Sequence, residues 1–217
     1  MERFIGLAIK NRIATGLMLA SLVVFALVIQ GTALAAQPNN RPPKKEPLQA
    51  VSQVNLDRYA GDWFEIALIP YFFQSQCAAN AKVVYTALKP GTFRDYFECE
   101  QKNGKKSISV GRARVANSKT NATLSATFLN ILGWRYWFGE NYWITDLADD
   151  YSYSVVVHPS RNYAWILART PNLPADVLAG IATRLSAQGV DPCRLKMSPQ
   201  AQGSQKSISL CEAIKAL

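Results

Sequence analysis

A chain of 217 residues, 49% of them apolar and 18% charged, has room for one domain with short appendages. Its net charge of +9 could suit nucleic acid or an anionic membrane, but the basic residues are scattered apart from Lys44-Lys45 and Lys105-Lys106. That pattern reads first as a solvated basic surface and second as a contact for anionic lipid headgroups. A single histidine and four cysteines without a CxxC pair do not suit a zinc site.

Residues 1–36 read as an export signal. Arg3, Lys10 and Arg12 form a basic start, Ile13 to Ile29 is almost wholly apolar, and Ala33-Leu34-Ala35 or Leu34-Ala35-Ala36 offers a small-residue cleavage site. The length of the apolar run leaves an uncleaved membrane anchor as the competing reading. Neither cleavage site is followed by a cysteine, so no lipoprotein anchor is expected. Cleavage would leave 21 basic against 14 acidic residues, a net charge of +7, in a soluble periplasmic or secreted protein. Export makes nucleic acid a poor partner. It also makes Cys77, Cys99, Cys193 and Cys211 candidates for two disulfides, with three pairings open.

Residues 37–54, with Pro38, Pro42, Pro43 and Pro47 and no apolar period, read as a flexible linker, so ordered structure is expected from about Asn55. From there the chain breaks into short β-like runs at 61–69, 80–89, 92–101, 106–116, 121–130, 141–147, 151–157 and 163–169. Lys89-Pro90-Gly91-Thr92, Asn103-Gly104, Asn117-Ser118 and His158-Pro159-Ser160 punctuate them. Eight consecutive strands with mostly short links predict an all-β fold, an eight-stranded up-and-down antiparallel β-barrel that leaves no open edge. A helix follows: Pro174 and Asp176 suit its first turn, Val177, Leu178, Ile181 and Leu185 make one apolar stripe, and Gly189 can end it. The stripe is expected to pack on the outside of the barrel. Residues 199–217 are mostly polar and read as a tail tethered through Cys211.

Three ordered segments carry a family resemblance. Gly61-Asp62-Trp63-Phe64-Glu65-Ile66-Ala67 resembles the first signature of the lipocalins. Tyr142-Trp143-Ile144, then Asp150-Tyr151 and Val155-Val156-Val157, resembles the second, with Asp149 where a threonine is usual. Tyr163 to Pro171, followed by Asn172-Leu173-Pro174, is similar to the last barrel strand and helix start of the apolipoprotein D and bacterial outer-membrane branch. The resemblance spans about 55–200, and the domain is set at 55–198. It implies a binding protein for small hydrophobic ligands such as fatty acids or lysophospholipids, acting in transport, storage or membrane maintenance without a cofactor. It also places Trp63 and Arg169 together as a structural plug behind Gly61. Similar bacterial lipocalins favour Cys77–Cys99, leaving Cys193–Cys211; apolipoprotein D instead joins the equivalent of Cys77 to its C-terminal tail.

Side-chain alternation places further residues. With Trp63 inward, Glu65, Ala67 and Ile69 share its face, and Tyr163, Trp165, Leu167 and Arg169 share a face of the last strand. On the fourth strand Ser109, Gly111 and Ala113 face in, because Arg112 and Arg114 must face out. Small inward residues suggest room for a ligand, and Leu124, Ala126 and Phe128 continue the lining. By resemblance Tyr85 and Trp165 line the pocket, with Tyr151 and Tyr153 weaker candidates. Core filling and ligand contact both stay open for each aromatic. Trp134, Arg135, Trp137 and Phe138 lie on a loop at the open end, read either as a rim that touches membrane or as a lid over the cavity. No Gly-x-Ser-x-Gly elbow is present and the only histidine is expected on a rim loop, so no enzyme is expected. The competing classes are a thiol-dependent isomerase, which needs a free cysteine in the cavity, and a barrel filled by its own side chains.

Overall fold

The computed structural model describes residues 47–216; the export segment and residues 37–46 of the linker lie outside them. In chain order the elements are α1 (Leu56–Tyr59), β1 (Gly61–Leu68), β2 (Cys77–Lys89), β3 (Thr92–Gln101), β4 (Lys106–Val115), β5 (Thr123–Thr127), β6 (Tyr142–Leu147), β7 (Tyr153–Val157), β8 (Ala164–Ala168), α2 (Ala175–Ala187), β9 (Lys196–Met197) and α3 (Leu210–Ala216). Strands β1 to β8 pair antiparallel with their chain neighbours, and β8 and β2 both pair with β1, which closes the barrel. All eight expected strands are present. β5 stops at Thr127 because the chain turns there: the Thr127 hydroxyl accepts from the Leu129 amide, and Asn130 bridges to Trp134.

One break of register changes the expected faces. Between Glu65 and Ala67 the pairing of β1 with β8 slips by one residue. Such a bulge turns every later side chain to the other face. Trp63 and Glu65 therefore stay inside, whereas Ala67 and Ile69, expected inside, join Ile66 in the core between the barrel and α2. Leu178, Ile181 and Leu185 of α2 meet Val155, Val157, Ala164, Ile166 and Ala168 there, each large aliphatic side chain contributing roughly 1.5–3 kcal/mol. Past α2, Gly189 takes φ +73°, the Gly189 amide donates to the Ser186 carbonyl and Val190 to that of Leu185, which is why the helix ends there.

Both ends of the chain are more ordered than expected. Leu48 and Val54 are buried, and the Val51 and Val54 amides donate to the carbonyls of Ile144 and Thr120, so the linker reading fails for the residues nearest the barrel. The expected polar tail carries α3, with Leu210 and Ala213 buried. Ser209 and Glu212 cap it reciprocally: the Ser209 amide donates to Glu212 Oε2 (2.8 Å) and the Glu212 amide to Ser209 Oγ (3.2 Å). Disulfides join Cys77 to Cys99 and Cys193 to Cys211, the pairing favoured by resemblance to bacterial lipocalins.

The floor of the barrel is built from α1, Trp63 and Arg169. Asn55 caps α1 by accepting from the Asp57 and Arg58 amides. At the other end the helix carbonyls need donors. Arg169 gives Nη2 to the carbonyls of Arg58 (2.6 Å) and Ala60 (2.9 Å) and Nη1 to that of Asp62 (2.6 Å), while Trp63 Nε1 donates to Tyr59 (2.8 Å). The guanidinium lies 3.7 Å from the Trp63 ring centre. Gly61 sits at φ +96° with a notional Cβ 3.4 Å from Arg169 Nη1, so only glycine passes there without strain. Replacing Arg169 by alanine strands these carbonyls and is expected to cost about 3 kcal/mol. Lysine, lacking the fork, should recover less than half of the loss in urea denaturation.

Candidate functional site

The inward face grades from dry to wet along the barrel axis. At the α1 end, Trp63, Phe93, Ala113, Leu124, Ile144, Val156 and Leu167 are buried in one cluster. Toward the other end, Phe97, Ser109, Ala126 and Trp165 face in but are only half-buried. Tight turns and α1 close the first end; the loops 69–76, 128–141 and 158–163 surround the second. The interior is thus closely packed at the α1 end and partly solvent-accessible at the other, where the Tyr71 ring lies edge-on 5.7 Å from that of Trp165; this inward-facing space is called the cup below.

Its polar groups form two sets. Low in the cup, the Tyr59 hydroxyl is 2.8 Å from that of Tyr142 and 3.0 Å from Ser154 Oγ, and Tyr85 is 3.0 Å from Tyr142. Burial raises all three phenols, Tyr59 to about 12, so they stay neutral. Near the mouth, Glu65 accepts from Ser198 Oγ (2.6 Å) and Gln74 Nε2 (2.8 Å), and Gln74 Oε1 accepts from Trp165 Nε1 (3.3 Å). Burial raises the Glu65 carboxyl, opposed by the Ser198 and Gln74 hydrogen bonds.

The expected site residues divide. Tyr85, Ser109, Ala113, Leu124 and Trp165 face the interior. Gly111 also faces in, but the space expected there is occupied: a Cβ would meet the Phe128 ring at 2.9 Å and the Thr127 carbonyl at 2.7 Å. Phe128 thus reaches back over Gly111 while remaining half exposed at the mouth. Tyr151, expected to line the pocket, lies in the closed-end turn at φ +64°, with its hydroxyl accepting from the Asn55 amide (2.8 Å) and Arg58 4.0 Å above its ring. Tyr153 packs outward with Arg184 and Asp146. A solvent-open depression of about 700 Å³ at the closed end, between residues 53–57, 87–91 and Asn121, holds none of the residues expected to touch a ligand.

The rim also differs from expectation. Trp134 and Arg135 are not at its crest. Trp134 folds against the outer wall with Arg112 4.9 Å from its ring, and Arg135 holds its own loop through the Ile131 and Leu132 carbonyls. Trp137 and Phe138 are exposed as expected, each at 70%, and are joined by Leu132 at 95%, Ile131, Phe72 and Phe73. Among the described residues no three of His, Cys, Asp and Glu converge as metal ligands.

One interior residue escaped the sequence reading. Asp95 on β3 is 5% exposed among Phe93, Tyr85 and Gly111, and burial alone lifts its carboxyl from 3.8 to about 7. The strand alternation Phe93, Asp95, Phe97 carried the signal.

A lipocalin-like domain model matches residues 54–200. The chain belongs to the lipocalin family. Temperature-induced lipocalin-1 of Arabidopsis thaliana is 27% identical over 80% of this chain and 94% of its own. The outer membrane lipoprotein Blc of Vibrio cholerae is 28% identical over 69% and 85%, and rat (Rattus norvegicus) apolipoprotein D is 25% identical over 85% and 94%.

The Asp95 shift has a defined sign in this lipocalin. A carboxyl raised on folding costs nothing below its unfolded value; the cost grows as pH climbs from there to its folded value, here from 3.8 to about 7, and is complete above it. Asp95→Asn should therefore gain stability over wild type at pH 8, at most on the order of 4 kcal/mol, and lose that pH-dependent gain near pH 4. Urea midpoints of both proteins at pH 4, 6 and 8 measure it; a difference independent of pH would contradict it.

Proposed function

We propose that this lipocalin holds one small hydrophobic, lipid-like ligand in the cup, as a carrier or store in an exported compartment. The observation that carries the reading is the half-buried inward set Phe97, Ser109, Ala126 and Trp165 above a dry floor, where an alkyl chain would replace water. Each CH₂ so buried contributes about 0.8 kcal/mol, so a chain of ten offers on the order of 8 kcal/mol before ordering costs. Tyr85 and Trp165 are the first residues we assign to ligand contact, with Ser109, Ala113, Leu124 and Phe128 beside them. Catalysis by a thiol has no support: all four cysteines are in disulfides. Two disulfides, the apolar run before residue 30 and a relative named as an outer membrane lipoprotein support export. Titration with a long-chain lipid should change Trp fluorescence saturably, and Trp165→Ala should remove most of the change. No saturable response to any long-chain lipid would favour a barrel closed by its own side chains.

The exposed Phe72, Phe73, Ile131, Leu132, Trp137 and Phe138 support a second element of the reading, that the mouth rests on a lipid layer from which ligand is taken. Paired Trp137→Ser and Phe138→Ser substitutions should weaken vesicle flotation about tenfold and leave affinity for a dispersed ligand within about twofold. Equal loss of both would place these side chains in the ligand site instead.

A further inference from the structure

Asp95 is a group that nothing in the fold uses. Among the described residues no hydrogen bond or ion pair reaches it, and its Oδ1 is fully enclosed without a partner. A buried carboxylate without compensation costs several kcal/mol, so such groups normally bring a partner with them. Glu65 shows the ordinary solution, with a hydroxyl and an amide each within 2.8 Å. Asp95 has neither. The titratable groups that feel its charge are Tyr85 from β2, Tyr59 from α1 and Tyr71 from the loop after β1, all phenols held neutral by burial. The nearby cations point away. Arg94 on the same strand lies over Tyr96, 5.2 Å from its ring centre, and Arg112 and Arg114 on β4 stack on Trp134 and Tyr136, all on the outer wall. The chain is basic outside and carries an uncompensated acid inside.

We infer that Asp95 is the polar anchor of the cup, and that the ligand it selects is an apolar molecule carrying a protonated amine, seated amine-down against the Asp95 carboxylate with its hydrocarbon along Phe97 and Trp165. This rests on the reading of the barrel as a ligand cup and narrows it. An ammonium supplies both the missing donor and the missing charge; such a charge-assisted hydrogen bond is roughly twice as strong as a neutral one. A hydroxyl supplies the donor alone. A carboxylate supplies neither and meets like charge, so fatty acids become the poorest head-down ligands. Desolvation also leaves Asp95 on the edge of ionisation near neutrality, where an arriving cation completes the charge separation.

The test is displacement of the neutral probe N-phenyl-1-naphthylamine from the full chain at pH 8. The competitors are dodecylammonium, dodecanol and dodecanoate, each kept below its micellar concentration. Dodecylammonium should bind at least about tenfold tighter than dodecanoate, with dodecanol between. The net charge of +9 would favour the anion, so the surface cannot produce that order. Asp95→Asn, shown folded by circular dichroism, should bring ammonium and alcohol to within about threefold of each other. Should that variant not fold, the wild-type order decides alone. Equal affinities for the three heads, tighter dodecanoate, or an unchanged order in Asp95→Asn would overturn the anchor and leave the cup. Failure of the probe and of all three competitors to bind would overturn the cup and the anchor together.

Discussion

The guanidinium of Arg169 joins the last strand of the barrel to the first at the one point where the backbone has no partner of its own. An eight-stranded barrel can satisfy its walls through the ladders, but a one-turn helix laid across its end leaves carbonyls that no strand reaches. Arg169 reaches four carbonyls at this junction across more than a hundred residues of sequence and covers the indole whose N–H shares one of them, that of Tyr59. Each part needs the others: the fork needs the open carbonyls, the carbonyls need Gly61 at positive φ, and the indole needs a dry floor to sit on. The cup has a bottom because these conditions meet in one place.

Much of this was legible in the chain because it depends on local chemistry. Alternation placed β4 correctly, since Arg112 and Arg114 could only face water and thereby turned Ser109, Gly111 and Ala113 inward. The stripe of α2 and its glycine stop were equally local. What was not legible depends on pairing. No feature of Glu65-Ile66-Ala67 announces a bulge; it arises because β1 exchanges β2 for β9 as its neighbour along one edge while keeping β8 on the other. Gly111 was read as empty space because its filler, Phe128, comes from just past the end of β5, opposite it. Two signals were present and unread. Ser209 and Glu212 form a capping box ahead of Leu210, Ala213 and Ile214, and Asp95 alternates with two phenylalanines.

The arginines also explain the shape of the mouth. The outer face of β3 and β4 carries Arg94, Arg112 and Arg114, each over an aromatic ring. Two of those rings, Trp134 and Tyr136, belong to the long loop after β5, so this half of the loop is drawn down over the outer wall. Cation–π contacts of this exposed kind contribute about 0.5–1 kcal/mol each, enough together to bias a loop between two positions. Alternate residues are thereby sorted: Trp134 and Tyr136 go down, and Trp137 and Phe138 are left at the crest with Leu132. A loop with that many aromatics would otherwise be free to fold into the cup and close it.

The wall of the cup is not made by the eight strands alone. Above Phe64, β2 leaves β1, and the segment that follows α2 enters the gap. β9 pairs with Ala67 and Leu68, the Ser198 amide donates to the Ile66 carbonyl, and the Gln200 side chain donates to the carbonyls of Glu65 and Ala81, bridging the two separated strands. Ser198 Oγ then fixes Glu65, Glu65 fixes Gln74, and Gln74 meets the indole N–H of Trp165. The orientation of Trp165 thus depends on a C-terminal segment flanked by the Cys193–Cys211 disulfide. It also explains the unequal treatment of the two interior acids. Glu65 sits where an outside strand can be brought in to satisfy it, whereas Asp95 lies on the unbroken part of the sheet, where β2 and β4 already pair with β3 on both sides.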